Sequence, residues 1–198
     1  MEKMKILFAT HNQHKTIEIG NMLTNAMIIT LDDFHDEDEV IESGKTFSEN
    51  AAIKARYYFQ KYHLPVIADD SGLVVPALNG EPGVYSARYS STGTYEDNNH
   101  LLLKKMETIS DREAYFITVI CFIDEVGAEH YFTGKITGVI AKEEKGTAGF
   151  GYDPLFYIPH RNKTFAEMSL EEKNKISHRA LALKQFKEFI DNINCENK

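Results

Sequence analysis

Asp69 and Asp70 follow the apolar run Val66-Ile67-Ala68 and precede Ser71-Gly72-Leu73. As a buried strand delivering acid groups to its end, this octet sets two like charges where burial is costly. A hard divalent cation such as Mg²⁺, which takes carboxylate oxygen, removes that cost. Gly72 then permits a sharp turn after the strand. Asp, Ser and Gly also form ordinary solvated strand-to-turn junctions, so the octet alone leaves both readings open.

Four other clusters stand outside the core pattern. Thr10-His11-Asn12-Gln13-His14-Lys15 joins a short apolar strand to a helix, where backbone amides attract anions and Lys15 adds a charge. Asn12 is equally an ordinary helix cap, and the Gly-x-x-x-x-Gly-Lys phosphate loop is missing. Glu42, before Ser43-Gly44, is either a third metal ligand beside Asp69 and Asp70 or one more charge in the acidic stretch Asp32 to Glu42, most of which is expected to be a solvated loop. Gly149-Phe150-Gly151-Tyr152-Asp153-Pro154 offers close backbone approach and a stacking ring, or a hairpin with Phe150 in the core. Lys173 and Ser177-His178-Arg179 gather cations near a helix start, where the dipole disfavours them unless an anion binds. The alternative is a polar first turn with Arg179 exposed.

The elements that hold these clusters follow from periodicity and caps. Strands are expected at Lys5–Thr10, Met27–Leu31, from Val66, at Leu73–Leu78, at Ala114–Ile123 and at Glu129–Ala141. The last two pair across the turn Asp124–Ala128. Helices are expected at Gln13–Asn25, after the capping box Thr46/Glu49, at Thr94–Met106, after Ser169/Glu172, and from about Ser177 to Ile193. Phe47, Ala51, Ala55, Tyr58 and Tyr62 give the second helix a core-facing stripe, and Leu183, Phe186, Ile190 and Ile193 do so for the last. Glu49 is explained by its cap. Strand-helix alternation followed by a strand pair indicates an α/β protein with a mixed sheet.

The 198 residues, 42% hydrophobic, suffice for one domain spanning residues 1–198, with room for two lobes. The net charge of −8 argues against a nucleic-acid-coating protein, which neutralises many phosphates with Lys and Arg. No run is long enough to span a bilayer, and residues 1–10 lack a signal peptide's apolar stretch. Cys121 and Cys195 make neither a disulfide framework nor a metal motif. A cytoplasmic protein without membrane or nucleic-acid partners is expected.

Together and in order, the motifs closely resemble the inosine triphosphate pyrophosphatase family. The resemblance runs from Ala9-Thr10-x-Asn12-x-x-Lys15 through Ser43-Gly44-x-Thr46-Phe47-x-Glu49-Asn50-Ala51, Lys54-Ala55 and Ala68-Asp69-Asp70-Ser71-Gly72-Leu73. It continues through Pro82-Gly83-Val84-Tyr85-Ser86-Ala87-Arg88-Tyr89 and Gly149-Phe150-Gly151-Tyr152-Asp153-Pro154, and ends at Glu172-Lys173 and Ser177-His178-Arg179. His11 departs from the glycine of many relatives. The resemblance implies an elongated two-lobed α/β fold, a central mixed sheet flanked by helices, an active-site cleft between the lobes, and a homodimer. It implies Mg²⁺-dependent hydrolysis of ITP, dITP and XTP to the monophosphate and pyrophosphate. On this reading Asp70 is the general base and a metal ligand with Asp69 and Glu42. Thr10, His11, Asn12, Gln13, His14, Lys15 and Lys173 grip the triphosphate, and Ser71, Phe150, Gly151, Tyr152, Asp153, His178 and Arg179 complete the substrate site. A Maf-like pyrophosphatase and a non-catalytic nucleotide sensor are the alternatives.

Overall fold

Ile6 and Phe8 of the first strand enter one buried cluster while Leu7 enters another, the period of two that a strand buried on both faces imposes. In the computed structural model, which describes residues 4–23 and 26–196, this strand is β1 (Lys5–Phe8). It is followed by α1 (Gln13–Met22), β2 (Met27–Thr30), α2 (Phe47–Tyr62), β3 (Val66–Val74) and α3 (Tyr95–Lys105). Then come β4 (Glu113–Ile123), β5 (Glu129–Ile140), β6 (Phe156–Ile158), β7 (Lys163–Thr164), α4 (Leu170–Asn174) and α5 (His178–Glu196). The strands are hydrogen-bonded in the order β2-β1-β3-β4-β5-β6-β7. β1 is parallel to β2 and to β3, whereas β6 is antiparallel to β5 and to β7, so the sheet is mixed.

The chain forms two compact units. The first comprises residues up to 70, 118–134 and 179 onward, and the second 71–117 and 135–178. The core of the first contains Ile6, Phe8, Ile67, Phe122, Phe186 and Ile190 in one cluster and Leu7, Ala51, Ala55, Tyr58, Val66 and Ala68 in another. The second packs Leu73, Leu102, Phe116, Phe156 and Phe165. No described helix is long and apolar enough to cross a membrane.

Local caps set several boundaries. Asn12 accepts the Lys15 amide at the start of α1. The boxes Thr46/Glu49 and Ser169/Glu172 form both of their reciprocal bonds. The end of α1 expected at Asn25 lies outside the described residues; Leu23 closes the helix, its amide donating to the Ile19 carbonyl. Two expectations are corrected. β3 runs unbroken through Gly72 to Val74, so Asp69 and Asp70 lie inside a strand, and Pro76–Leu78, expected to be extended, is a 3-10 turn. β3 sits between β1 and β4, and Leu73, fully buried, anchors the residue after Gly72 in the core while its amide donates to Ser86 Oγ at 2.9 Å, so glycine's permissiveness is not used for a turn. The acidic stretch is also not simply a solvated loop: Asp36 is buried.

Candidate active site

In the first unit, β3 carries Asp69 and Asp70 into the interior, where both are buried. Lys15, on the first turn of α1, donates to Asp69 Oδ1 at 2.9 Å. Arg179, from the first turn of α5, reaches Asp69 Oδ2 at 3.4 Å and also pairs with Glu18. Burial alone would push the Asp69 carboxyl up, but Lys15, Arg179 and Lys54 more than reverse this and hold it well below the ordinary carboxylate range. Burial lowers the Lys15 ammonium, against the pull of Asp69.

Asp70 has the opposite environment. Its Oδ2 accepts from Asn50 Nδ2 at 2.9 Å. Burial pushes its carboxyl up, Lys54 opposes the rise, and Glu42 adds to it. Glu42 meets Lys54 at 2.5 Å. The ammonium of Lys54 is held above its ordinary value: burial works against it, but the charges of Glu42, Asp69 and Asp70 prevail. Asn50 and Lys54, one turn apart on α2, thus serve neighbouring carboxylates. Gly44 is required for this contact, because a Cβ there would lie 2.6 Å from Asn50 Oδ1.

Among the described residues, no group of three His, Cys, Asp or Glu side chains is gathered as a metal cage. The donor chemistry nevertheless fits a hard cation. Glu42 and Asp70 present oxygen only, and the Glu42 charge disfavours ionisation of Asp70. Among the described residues joined by these contacts, carboxylates outnumber cations, Glu18, Glu42, Asp69 and Asp70 against Lys15, Lys54 and Arg179. The remaining expected residues of the α1 entry are ordered by local bonds. The Asn12 amide donates to Thr10 Oγ1 at 3.1 Å, His11 is exposed and donates to the Asp38 carbonyl at 3.0 Å, and Gln13 and His14 open the helix exposed.

In the second unit, Lys173 on α4 is buried against Asp153 at 2.7 Å and lies 4.8 Å from the centre of the Phe150 ring. Asp153 Oδ2 also accepts the Phe150 amide at 2.9 Å. Gly149, at φ +76°, is needed because a Cβ would sit 2.0 Å from that oxygen. Asn99 donates to the Gly151 carbonyl at 3.2 Å, so the turn is clamped at both ends. Phe150 is half-buried, with the Tyr95 ring 6.2 Å away. Tyr152 is a core residue whose hydroxyl donates to the Ser86 carbonyl at 2.8 Å. His178 lies flat on Phe116, ring centres 4.7 Å apart and 10° between planes. Ser71 is half-buried in β3.

The structure therefore gathers Lys15, Glu42, Asp69, Asp70 and Arg179 in one unit, and Phe150, Gly151, Asp153 and Lys173 in the other. Arg179 is buried among carboxylates, not exposed on a polar turn. Sequence reasoning missed Glu18, Asn50 and Lys54 as site residues. The signals were present: Glu18 follows Lys15 by three residues, and Asn50 precedes Lys54 by four, so each pair shares a helix face.

A model of the Ham1 family matches residues 6–189. The dITP/XTP pyrophosphatase of Thermoanaerobacter pseudethanolicus is 48% identical over 192 residues, covering 94% of this chain and 96% of that one. That of Staphylococcus epidermidis is 44% identical over 187 residues, covering 94% and 96%. The solved Ham1 protein of Staphylococcus aureus superposes with a TM-score of 0.88 at 39% identity, covering 95% of this chain and 98% of that one. With a family match over most of its length and relatives this similar, the chain belongs to the Ham1 family.

Proposed function

We propose that this protein hydrolyses non-standard purine nucleoside triphosphates, ITP, dITP and XTP, to the monophosphate and pyrophosphate, with Mg²⁺ as cofactor. The observation that carries the reading is the opposed environment of two adjacent carboxylates. Cations hold Asp69 ionised, whereas burial and Glu42 raise Asp70. Neighbouring acids driven apart in this way mark an assignment of roles. A carboxylate with a raised pKa is the better proton acceptor near neutrality.

Asp70 accepts the proton of a water that adds to the α-phosphorus. The bond from that phosphorus to the bridging oxygen then breaks, and its electron pair leaves on pyrophosphate. Asn50 orients the Asp70 carboxylate through Oδ2. Glu42 and Asp70 would hold Mg²⁺, while Asp69, the third carboxylate of the expected set, keeps Lys15 and Arg179 in place. Bound there, the ion supplies neutralising charge to the triphosphate. Lys15 and Lys173, with the Thr10–Lys15 loop, take the phosphate oxygens. Phe150 offers a stacking face to the purine, and His178 a donor for the six-oxo group that hypoxanthine and xanthine carry and adenine lacks. Sites that bond a distinguishing group reject its absence by roughly 10⁴-fold. The dITP/XTP pyrophosphatase names of the relatives support this substrate class. The family resemblance supports a cytoplasmic homodimer.

The test is product identification: purified protein with ITP or ATP, with and without Mg²⁺, assayed separately for pyrophosphate and orthophosphate. Metal-dependent pyrophosphate with IMP, far faster than from ATP, is expected. Orthophosphate, or equal use of ATP, would overturn the reading.

A further inference from the structure

Segment 36–44 lies along one side of α2, and its partners step backwards through the helix as its own numbers rise. Asp36 accepts from Lys61 at 2.7 Å and from the Tyr62 hydroxyl. Asp38 takes Lys61 at 2.6 Å and the Tyr57 hydroxyl at 2.5 Å through its carboxylate. Its carbonyl takes the Tyr58 hydroxyl at 2.8 Å. Glu42 meets Lys54 at 2.5 Å, and the Gly44 amide donates to Asn50 at 2.8 Å. Eight extended steps reach roughly 26–29 Å, whereas the helix from residue 62 to 50 rises only about 18 Å. The segment therefore has slack, and its polar ties, not tension, fix its register.

Apolar packing near Glu42 comes from Val40, half-buried against the cluster of Leu7, Ala51 and Tyr58, and it holds the backbone two residues away without reaching the carboxylate. Ile41 is 83% exposed, and Glu39 and Ser43 are exposed on either side. The upstream anchor is firmer. Asp36 is 7% exposed, and although burial alone would raise its carboxyl, Lys61, Tyr62 and the Asp38 amide bring it down to about 2. Phe34 stacks on Tyr62 at 4.2 Å just before it. A well-made, buried polar anchor thus precedes a half-buried acidic residue, with Val40 as the apolar contact between them.

We propose that Asp36, Asp38, Tyr58 and Lys61 are positioning residues that set the register of this strap, so that Glu42 is delivered to Lys54 and Asp70 as a divalent-cation ligand. The inference rests on the metal role given to Glu42 above, and none of the four need touch substrate. His11, which donates to the same Asp38 carbonyl, ties the strap to the entry of α1.

The decisive variant is Tyr58→Phe in the full chain, which keeps the buried ring and deletes one donor. Lys61→Met and its conservative partner Lys61→Arg accompany it, with Glu42→Gln as reference. Mg²⁺ binding is measured by calorimetry without nucleotide, and amide hydrogen exchange is followed over 36–44. Tyr58→Phe should raise the Mg²⁺ dissociation constant roughly fivefold, the order expected for one net hydrogen bond. It should also speed exchange over 36–44, while kcat for ITP at saturating Mg²⁺ stays within about twofold, as expected when only binding is lost. Lys61→Met should act in the same direction, and Lys61→Arg should restore affinity. If Glu42→Gln weakens Mg²⁺ binding but Tyr58→Phe and Lys61→Met only lower the melting temperature, the strap is structural and the inference falls alone. If Glu42→Gln leaves Mg²⁺ binding unchanged, the metal assignment of Glu42 falls and takes the inference with it.

Discussion

The first unit gathers the buried Glu18, Asp69, Asp70 and Arg179 with the half-buried Lys15, Glu42 and Lys54, while the second buries the pair Lys173–Asp153 beside the Phe150 and Phe165 rings. Among the described residues named here, charge is matched one for one in the second case and left with surplus carboxylate in the first. A matched pair with its hydrogen bonds made is already stable in the dry interior. A cluster with excess negative charge holds one member in an unfavourable state until a cation or a proton arrives, and here that member is Asp70. The contrast separates a balanced platform from the centre to which the proposed reaction assigns its base. It also favours the first unit's residues as the holders of the proposed Mg²⁺.

The largest effect that would break this contrast is Asp70→Asn. Turnover of ITP should fall by roughly 10³- to 10⁴-fold, the upper range for loss of a general base. The apo protein's melting temperature should nonetheless rise, because a buried, opposed charge is gone. The pH dependence gives the sign. Asp70's folded pKa is raised, so between its ordinary and folded values the folded state binds more protons than the unfolded, and stability rises as pH falls through that window. Asp69 runs the other way. Its folded pKa is depressed, so its contribution is full above the ordinary Asp value and is lost as pH falls towards the folded one. Thermal melts of wild type and variant across pH, read as a difference, isolate the Asp70 contribution. A melting temperature lowered at neutral pH would remove the claim that Asp70 is held at a cost.

Much of this was legible in the sequence where the signal is local. The Thr46/Glu49 and Ser169/Glu172 boxes each act within one helical turn, and both form as expected. The first strand, expected from Lys5 to Thr10, likewise needs only its own apolar run, and it forms at Lys5–Phe8. What was not legible depends on chain brought from far away. Asp69 finds Arg179 across 110 residues, and Arg179 finds Glu18 across 161, so no spacing rule could have paired them. Asp36 looked like one charge in an acidic run because its burial comes from Lys61 and Tyr62 on a helix 25 residues later. Gly72 is a related case: its permissiveness is intrinsic, but β3, seated between β1 and β4, runs on through it, and the Leu73 amide beyond it is held by the distant Ser86.

The next effect tests the matched pair. Lys173→Met leaves the Asp153 carboxylate buried beside the Phe150 amide without its ammonium. Breaking a buried pair from one side costs about 3–5 kcal/mol, so urea unfolding should show a loss of that order. Adding Asp153→Asn should recover much of it, since both charges are then gone. If the single variant instead lost under about 1 kcal/mol, as an exposed pair does, the second unit would not be the dry, balanced platform described here.

The smallest effect separates scaffold from recognition within the second unit. Tyr152 was expected to contact substrate, yet its ring is buried and its hydroxyl donates to the Ser86 carbonyl. Ser86 in turn accepts the Leu73 amide through Oγ and donates to the Gly83 carbonyl at 2.6 Å. Tyr152→Phe therefore removes one bond from a web in which Asn98 also donates to the Ser86 carbonyl, at 3.4 Å. The acceptor keeps a partner, so the stability loss should be about 1 kcal/mol, the usual net value of one hydrogen bond. KM for ITP should stay near wild type, because Phe150 and Lys173 remain clamped by Asp153 and Asn99 still holds Gly151. A rise in KM for ITP but not for ATP would instead make Tyr152 a recognition residue, and base selection would then extend from the half-buried Phe150 ring into the core beneath it.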